Sequence, residues 1–199
     1  CVSNLHAPQQ TARINSRKTT RSEVLEILEA EGFAVKVSDT IPDGIVCLQG
    51  NLAHSQAFKN GLLTIQDESS MLVAYALGAE QGDKVLDSCA APGGKTTSIA
   101  KKLGDGTIVA LDLHQHKVKL IDQQATRLGL TNITTMAYDA RKVQEKFAQE
   151  SFDKVLVDAP CSGLGVMRRK PDVKYTKSAT DIERLATIQK DILHATAPL

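Results

Sequence analysis

The second half of the chain alternates short apolar runs with longer amphipathic segments. A short apolar run bounded by Gly or Asp is typical of a buried strand, whereas apolar residues spaced three and four apart are typical of a helix. Strands that alternate with helices indicate a parallel, doubly wound α/β sheet. The pattern predicts strands at 84–87, 107–112, 133–137 and 154–158, and helices at 96–103, 115–128, 140–148 and 179–197.

Residues 1–60 carry a different pattern, which predicts a small α+β subdomain. Thr20 and Glu23 form a capping box in front of a helix that ends at Gly32, and Pro42–Gly44 is a turn between two strands. Residues 61–199 form the second unit, the α/β sheet. The predicted segments before that sheet are strands 12–15, 33–37 and 45–48, helix 51–61, strand 62–66 and a helix from 67 or 68 to 77.

Composition narrows the class of protein. The 199 residues are 42% hydrophobic and carry a net charge of +1, so any nucleic-acid surface must be a local patch. Four scattered cysteines without a C-x-x-C pair are typical of a reduced, cytoplasmic protein. No apolar run approaches the ~20 residues of a membrane span. The only histidine cluster, His114 and His116, has a spacing that does not favour a metal site.

Basic residues cluster before and at the start of the first predicted helix. Arg13, Arg17, Lys18 and Arg21 lie close together in the sequence. One interpretation is a patch that binds RNA phosphates, and the other is an ordinary solvated strip of surface. Cations at a helix N-terminus are unfavourable, which gives the RNA interpretation some support.

A loop of small residues, Cys89–Lys95, follows the first strand of the α/β sheet and precedes a helix. This arrangement presents backbone N–H groups to a ligand. A Walker A loop would require Gly where Cys89 stands, and Pro92 lacks an N–H for a phosphate. Asp112, about 20 residues further on, has the position of a carboxylate that holds a ribose diol. S-adenosylmethionine, a nucleoside ligand without phosphates, fits this pattern; the alternative is that Gly93-Gly94 is merely a tight turn.

Each predicted strand of the sheet ends in an acidic residue or is closely followed by one. Asp87, Asp112, Asp139 and Asp158 are expected to line one polar cleft, because the carboxyl ends of parallel strands meet at one edge. Asp139 could instead be a helix cap. Asp158 is followed closely by Cys161, which is either a reactive thiol or an ordinary buried cysteine.

These motifs together resemble the RNA cytosine-5 methyltransferases, and most closely their bacterial branch that modifies the small-subunit 16S ribosomal RNA. The stretches that carry the resemblance are Cys89–Lys95, Asp112, Asp139, Asp158–Gly163, 65–70 and 168–172. The resemblance implies a Rossmann-like fold, S-adenosylmethionine as cofactor, and catalytic roles for Asp158 and Cys161. It implies cofactor binding by Cys89, Ala90, Ala91, Pro92, Gly93, Gly94, Lys95, Asp112, Asp139 and Asp158.

The reaction that the resemblance implies needs a thiol. C5 of cytosine becomes nucleophilic when a thiolate adds to C6, and loss of the C5 proton later expels the thiol. In the family, the Pro-Cys cysteine that matches Cys161 assists proton loss or product release, and the nucleophile lies in a Thr-Cys motif after a fifth strand. No such motif occurs up to Leu199. We therefore expect a chain that is inactive alone, lacks the last strands of the sheet and exposes the edge of strand 154–158.

The loop after Cys161 is expected to contact RNA. It contains Arg168, Arg169 and Lys170, which would bind the phosphates of 16S ribosomal RNA next to an unpaired or flipped cytosine. The alternative is a loop held by internal ion pairs. We expect a monomer without a membrane or metal partner. Two other functions stay open at this point: a P-loop-like NTPase and a non-catalytic RNA-binding module.

Overall fold

The computed structural model describes residues 9–169, 171–175 and 178–199. It contains two four-stranded sheets, in the strand orders β2-β3-β1-β4 and β7-β6-β5-β8. No helix in these three ranges is both long and apolar enough to cross a membrane.

The first sheet is antiparallel and is covered on one face by helices. Its capping box is confirmed: the Thr20 hydroxyl accepts from the N–H of Glu23, and the Glu23 carboxylate accepts from the N–H of Thr20. Where one helix was predicted at 51–61, a 3-10 turn, Leu52–His54, precedes a short helix. The elements are β1 (Gln10–Ile14), α1 (Arg21–Ala30), β2 (Ala34–Val37), β3 (Gly44–Gln49), α2 (Gln56–Lys59) and β4 (Leu63–Ile65).

The predicted domain boundary at residue 60 is too early. Strand β4 pairs with β1, with Ala12 opposite Ile65, so the first unit continues at least to Ile65. The sequence pattern predicted this strand but not the sheet that it joins, because local periodicity does not show which strand pairs with another one about 50 residues away.

The second sheet is parallel, as predicted. Its elements are α3 (Glu68–Ala76), β5 (Lys84–Asp87), α4 (Gly94–Ala100), β6 (Thr107–Asp112), α5 (Gln115–Leu128), β7 (Ile133–Ala137), β8 (Lys154–Leu156) and α6 (Ala179–Thr196). β5 pairs with both β6 and β8, and β8 is an edge strand within the described part of the sheet. This confirms the Rossmann-like α/β class and the expected strand edge.

Several boundaries of the second unit differ from the prediction. The segment predicted as helix 140–148 is a 3-10 helix, Ala140–Glu145, and β8 ends at Leu156 rather than at Asp158. Helix α4 begins two residues early, at Gly94, because Gly93 adopts a left-handed conformation (φ 102°) that starts the helix directly.

Arg13 is not part of a basic surface patch, so its predicted contact with RNA is wrong. Its neighbours Ala12 and Ile14 belong to the core of the first unit, and strand alternation turns Arg13 to the opposite face, against the second unit. Arg13 is 2% exposed; Nε donates to Oε1 of Gln66 and Nη2 donates to Oγ1 of Thr97, both at 3.1 Å.

The remaining basic residues of the predicted patch stay at the surface. Arg17 and Lys18 are both exposed. Lys18 is nevertheless tethered, because its Nζ donates to the carbonyl oxygens of Asn60 and Arg127 at 3.3 and 2.9 Å. Arg21 donates from Nη1 to the carbonyl of Pro42 at 2.7 Å.

Asp43 is the centre of the charged contact between the two units. Its carboxylate forms an ion pair with Lys101 at the end of α4 and accepts a hydrogen bond of 2.8 Å from the Tyr75 hydroxyl. Only 8% of the Lys101 side chain and 18% of the Asp43 side chain are exposed, so this pair is largely shielded from water. The hydrogen bond from Lys101 is the main influence that lowers the pKa of Asp43, against the opposing effect of burial.

We expect Lys101→Met to destabilise the protein by about 3 kcal/mol, because it leaves the Asp43 carboxylate buried without its partner. Urea denaturation followed by circular dichroism measures the effect. The matched control is Lys36→Met, which removes the exposed pair with Asp39 and should cost less than about 1 kcal/mol. Equal losses in the two variants would contradict the prediction.

Candidate active site

The parallel register brings three carboxylates to one edge of the second sheet. Asp87 is the last residue of β5 and lies opposite Ala110 on one side and Leu156 on the other. Asp112 ends β6, and Asp158 follows β8 by two residues. The predicted shared edge is therefore present, although Asp158 belongs to the loop.

The Gly-rich loop is fixed to the strands on both sides of β5. The N–H of Ser88 donates to the carbonyl of Leu156 at 3.0 Å, and the N–H of Ala90 donates to the carbonyl of Leu111 at 2.7 Å. At Gly93 a Cβ would lie 3.2 Å from Cα of Ile121 in α5, so glycine is required there by packing and by its positive φ.

Two adjoining clefts open at this edge, and Cys89 lines both. The nucleoside cleft, as we name the first, has a volume of about 260 Å³ and is lined by Ser88, Cys89, Asp112, Leu113, His114, Lys117, Tyr138, Asp139, Ala140, Arg141, Pro160, Ile188 and Ile192. The second, the Lys95 cleft, has about 250 Å³ and is lined by Ile65, Gln66, Asp67, Ser70, Asp87, Cys89, Ala90, Ala91, Pro92, Gly94, Lys95, Asp158 and Arg169.

The nucleoside cleft combines carboxylates with apolar walls. Oδ1 of Asp112 accepts a hydrogen bond of 3.0 Å from the N–H of His114. Asp139 is indeed a helix cap, since it accepts from the N–H of Arg141, and it also lies in the cleft. Leu113 and residues Ile188 and Ile192 of α6 supply apolar surface. Carboxylates for hydroxyl groups and a flat apolar slot for a base are what a nucleoside requires.

Lys95 and Asp158 form an ion pair in the second cleft. Lys95 Nζ lies 2.6 Å from Oδ2 of Asp158, and the side chains are 20% and 51% exposed. This pair links the loop after β5 to the loop after β8. A lysine that is already paired with a carboxylate is poorly suited to bind the phosphates of a nucleotide.

Arg169 also forms an ion pair. Its Nη1 donates to Oδ2 of Asp67 at 3.0 Å, so for this residue the structure shows the internal ion pair that was the alternative to RNA contact. Arg168 lines a neighbouring shallow cleft with Gly165 and Val166. Lys170 lies outside the described residues.

Asp87 is buried beneath the Gly-rich loop. One carboxylate oxygen accepts a hydrogen bond of 2.7 Å from the Thr96 hydroxyl, which joins the end of β5 to the first turn of α4. Burial raises the pKa of Asp87 to about 6, although the hydrogen bonds from Thr96 and from the N–H of Cys89 favour its charged form.

The pKa of the Cys89 thiol is raised both by burial and by the negative charges at this edge. Burial is the main cause that raises the pKa of Cys89 to about 11, and the carboxylates of Asp87, Asp112 and Asp158 raise it further. Such a thiol stays protonated and is not a nucleophile at neutral pH. The same potential favours a cationic ligand such as a sulfonium and opposes a polyphosphate, which argues against the P-loop alternative.

Cys161 is exposed, so the alternative of an ordinary buried cysteine is wrong. The preceding residue, Pro160, lines the nucleoside cleft, and its carbonyl accepts a hydrogen bond of 2.8 Å from Nε2 of Gln189 in α6. The loop therefore presents a free thiol beside the cleft. Within the described ranges, no group of three His, Cys, Asp or Glu side chains could hold a metal ion.

Several site residues were missed by the sequence interpretation. Leu113 is 56% exposed, and a large apolar residue directly after the strand-end Asp112 was an available signal. Arg141, which pairs with Asp139 in the structure, gave no signal, because side chains two residues apart do not face each other on a regular helix. Ile188 and Ile192 gave no signal, because their helix reaches the cleft only through the tertiary fold.

Both units of the chain match models of known protein families. Residues 74–199 match the model described as 16S rRNA methyltransferase RsmB/F, which is more than half of the chain. Residues 1–53 match the ferredoxin-like domain model of the RsmF/B-like methyltransferases.

Individual relatives agree with the family models. The chain is 52% identical over its whole length to the probable ribosomal RNA small subunit methyltransferase B of Bacillus subtilis, of which it covers 45%. It is 36% identical over 98% of its length to ribosomal RNA small subunit methyltransferase B of Proteus mirabilis and covers 46% of that protein. The chain thus spans about half the length of these relatives.

A solved structure confirms the fold. A methyltransferase homolog protein from Pyrococcus horikoshii superposes with a TM-score of 0.82 and 27% identity, over 97% of this chain and 61% of that one. The methyltransferase fold predicted from the sequence is confirmed, and S-adenosylmethionine is the cofactor that goes with it. The chain belongs to the RsmB/F family of 16S rRNA methyltransferases.

Proposed function

We propose that the protein containing this chain transfers a methyl group from S-adenosylmethionine to C5 of a cytosine in 16S ribosomal RNA. The observation that carries the proposal is the junction of the two clefts at Cys89. On one side lie the carboxylates and apolar walls suited to a nucleoside, and on the other lies the Lys95–Asp158 pair. The exposed thiol of Cys161 is three residues beyond Asp158.

The residues of both clefts fit this cofactor. Asp112 would bind the ribose hydroxyls, and the slot beside Asp139 would take the adenine. The loop residues Cys89–Gly94 and Lys95 would surround the methionine part, where the nearby carboxylates of Asp87, Asp112 and Asp158 suit a positively charged sulfur. When bound, the cofactor supplies an electrophilic methyl group on that sulfur.

The chain's own residues would position the cytosine and assist the loss of its C5 proton. Lys95 holds Asp158 at the Lys95 cleft, where the carboxylate can bind the base. Cys161 would assist loss of the C5 proton or release of the product. The nucleophile that adds to C6 is expected in a Thr-Cys motif, which does not occur in these 199 residues. Cys89 is poorly suited to replace it, because burial raises the pKa of its thiol.

RNA contact is proposed for the exposed basic residues on the rim. Arg17 and Lys18 remain candidates, with Arg168 and Arg169 beside the Lys95 cleft. Arg169 would have to exchange Asp67 for a phosphate. We further propose that the protein works as a monomer in the cytoplasm, and that the target cytosine is unpaired or flipped, because a paired base cannot enter the cleft.

The competing candidate is a non-catalytic RNA-binding module, which the short span of the chain relative to its relatives keeps open. Methyl transfer to small-subunit ribosomal RNA by the complete protein decides between the two. Incorporation of labelled methyl into 5-methylcytosine is the expected outcome, and RNA binding without any transfer would favour the module.

We expect Asp112→Ala to weaken binding of S-adenosylhomocysteine by about 10- to 100-fold, because two hydroxyl groups lose a charged acceptor. Titration calorimetry on the complete protein measures this. Asp105→Ala removes an exposed carboxylate outside both clefts and should leave the affinity unchanged. An unaltered affinity of the Asp112 variant would show that the nucleoside binds elsewhere.

RNA that carries 5-fluorocytosine should form no covalent adduct with residues 1–199 alone, because the expected nucleophile is not among them. The complete protein should form one, which denaturing gel electrophoresis detects as a band of reduced mobility. A stable adduct through Cys161 of the isolated chain would reverse the assignment of the two thiols.

Replacing Arg168 by Ala should weaken RNA binding and reduce the slope of log K against log salt concentration by about 0.7, the value for one phosphate contact on a single strand. Filter binding between low and moderate salt gives the slope. Lys36→Ala, on the exposed edge strand β2, is the control. An unchanged slope for the Arg168 variant would leave this residue as ordinary surface charge.

A further inference from the structure

The side-chain amide of Gln66 has a partner at its oxygen but not at its nitrogen. Oε1 accepts a hydrogen bond of 3.1 Å from Nε of Arg13. A guanidinium offers only donors, so the amide must turn its oxygen to Arg13 and its NH2 group away. Gln66 is 8% exposed, and within the described part of the chain its Nε2 has no hydrogen-bond partner. A buried donor of this kind costs free energy until an acceptor reaches it.

This donor lies in the Lys95 cleft, beside the Gly-rich loop. Gln66 is one of the residues that line the cleft. A Cβ at Gly94 would lie 3.6 Å from Nε2, so the nitrogen is within contact distance of the loop that we propose for the methionine part of the cofactor. An oxygen acceptor bound at this place would satisfy the amide.

Arg13 makes the same place favourable for an anion. Burial lowers the pKa of Arg13 to about 10, so its guanidinium remains charged at neutral pH. Its hydrogen bonds go to two neutral groups, Oε1 of Gln66 and Oγ1 of Thr97. Asp43 favours the charged form electrostatically but is itself paired with Lys101. A buried cation with neutral partners stabilises a negative group nearby and polarises the amide that separates the two.

The rest of the cleft offers little to a negative group. Three carboxylates line it, those of Asp67, Asp87 and Asp158. The cations that line it with them, Lys95 and Arg169, are already paired with carboxylates. An acid that binds here therefore needs a donor of its own, and Gln66 in the wall, with Arg13 behind it, supplies one.

We propose that Nε2 of Gln66 donates to the carboxylate of the methionine part of S-adenosylmethionine, and that Arg13 is a positioning residue that orients and polarises this amide. The carboxylate is the anionic group of the cofactor, and its other acceptors belong to the ribose and the adenine, which take the nucleoside cleft. A residue of the first unit thereby supports the cofactor site. This inference rests on the proposed function, since it takes that cofactor as the occupant.

The test is titration calorimetry of the complete protein with two ligands. One is S-adenosylhomocysteine, and the other is its decarboxylated analogue, which keeps the nucleoside and the amine. Gln66→Leu should weaken binding of S-adenosylhomocysteine about tenfold, because a hydrogen bond to a charged group is lost. The same variant should change binding of the analogue less than twofold. A merely structural role of Gln66 would weaken both ligands equally.

A second variant, Gln66→Glu, separates binding from stability. Glutamate has the shape of glutamine and gives Arg13 a carboxylate partner, so thermal unfolding should show a folded protein. Its charge would repel the ligand carboxylate, and the affinity for S-adenosylhomocysteine should fall about 100-fold. The matched control is Gln49→Glu, which adds the same charge at an exposed position outside both clefts and should change the affinity less than twofold.

A double-mutant cycle tests the positioning role of Arg13. Arg13→Met should weaken binding of S-adenosylhomocysteine about fivefold in the wild-type background but less than twofold when Gln66 is already Leu. If the Met variant does not fold, Arg13→Lys replaces it in the cycle, because lysine keeps the charge but lacks the planar fork.

Three results would overturn the inference and leave the proposed function intact. They are equal losses of affinity for the two ligands, equal effects of the Arg13 change in both backgrounds, and an unchanged affinity of Gln66→Leu for S-adenosylhomocysteine. Failure of the wild-type protein to bind S-adenosylhomocysteine would overturn both.

Discussion

Hydrogen bonding of β5 to two parallel neighbours brings the carboxylates of Asp87, Asp112 and Asp158 to one edge of the sheet. With Asp87 opposite Ala110 and Leu156, the ends of three strands lie side by side, and the loops that follow them must share one edge. The Gly-rich loop is then fixed by N–H groups bonded to the carbonyls of Leu111 and Leu156. The clefts are a consequence of this register, because side chains from separate loops meet only there.

The sheet edge produced in this way carries more negative than positive charge. Asp87 lies buried below the loop, and Asp112 and Asp158 lie on either side of it, while Lys95 is neutralised by Asp158. Burial is the main cause of the raised pKa of Cys89, and the negative charges of Asp87, Asp112 and Asp158 raise it further. A loop that resembles a phosphate cradle in its sequence thus has the opposite charge preference, since its surroundings and not its glycines determine the potential.

The two units are joined by charged and polar contacts rather than by a shared apolar core. Arg13 reaches Gln66 and Thr97, and Asp43 reaches Lys101 and Tyr75. Gln66 lines the Lys95 cleft, and Thr97 belongs to helix α4. Buried ionic contacts tolerate only a narrow range of geometries, so they fix how the first unit sits against the helix that follows the loop.

The sequence by itself determined the alternation of strands and helices, the Gly-rich loop, the acidic residues at or shortly after the ends of the strands, and the thiol-bearing loop after the last predicted strand, whose exposure it left open. These features follow from local periodicity and from the rule that parallel strands share one carboxyl edge. The tertiary structure alone decided that Arg13 is buried, that β4 belongs to the first sheet, and that Arg169 pairs with Asp67 across 102 residues. It also decided that α6 and Arg141 complete the nucleoside cleft. Local sequence patterns do not predict this burial or these pairings, because both depend on which other parts of the fold pack against a residue.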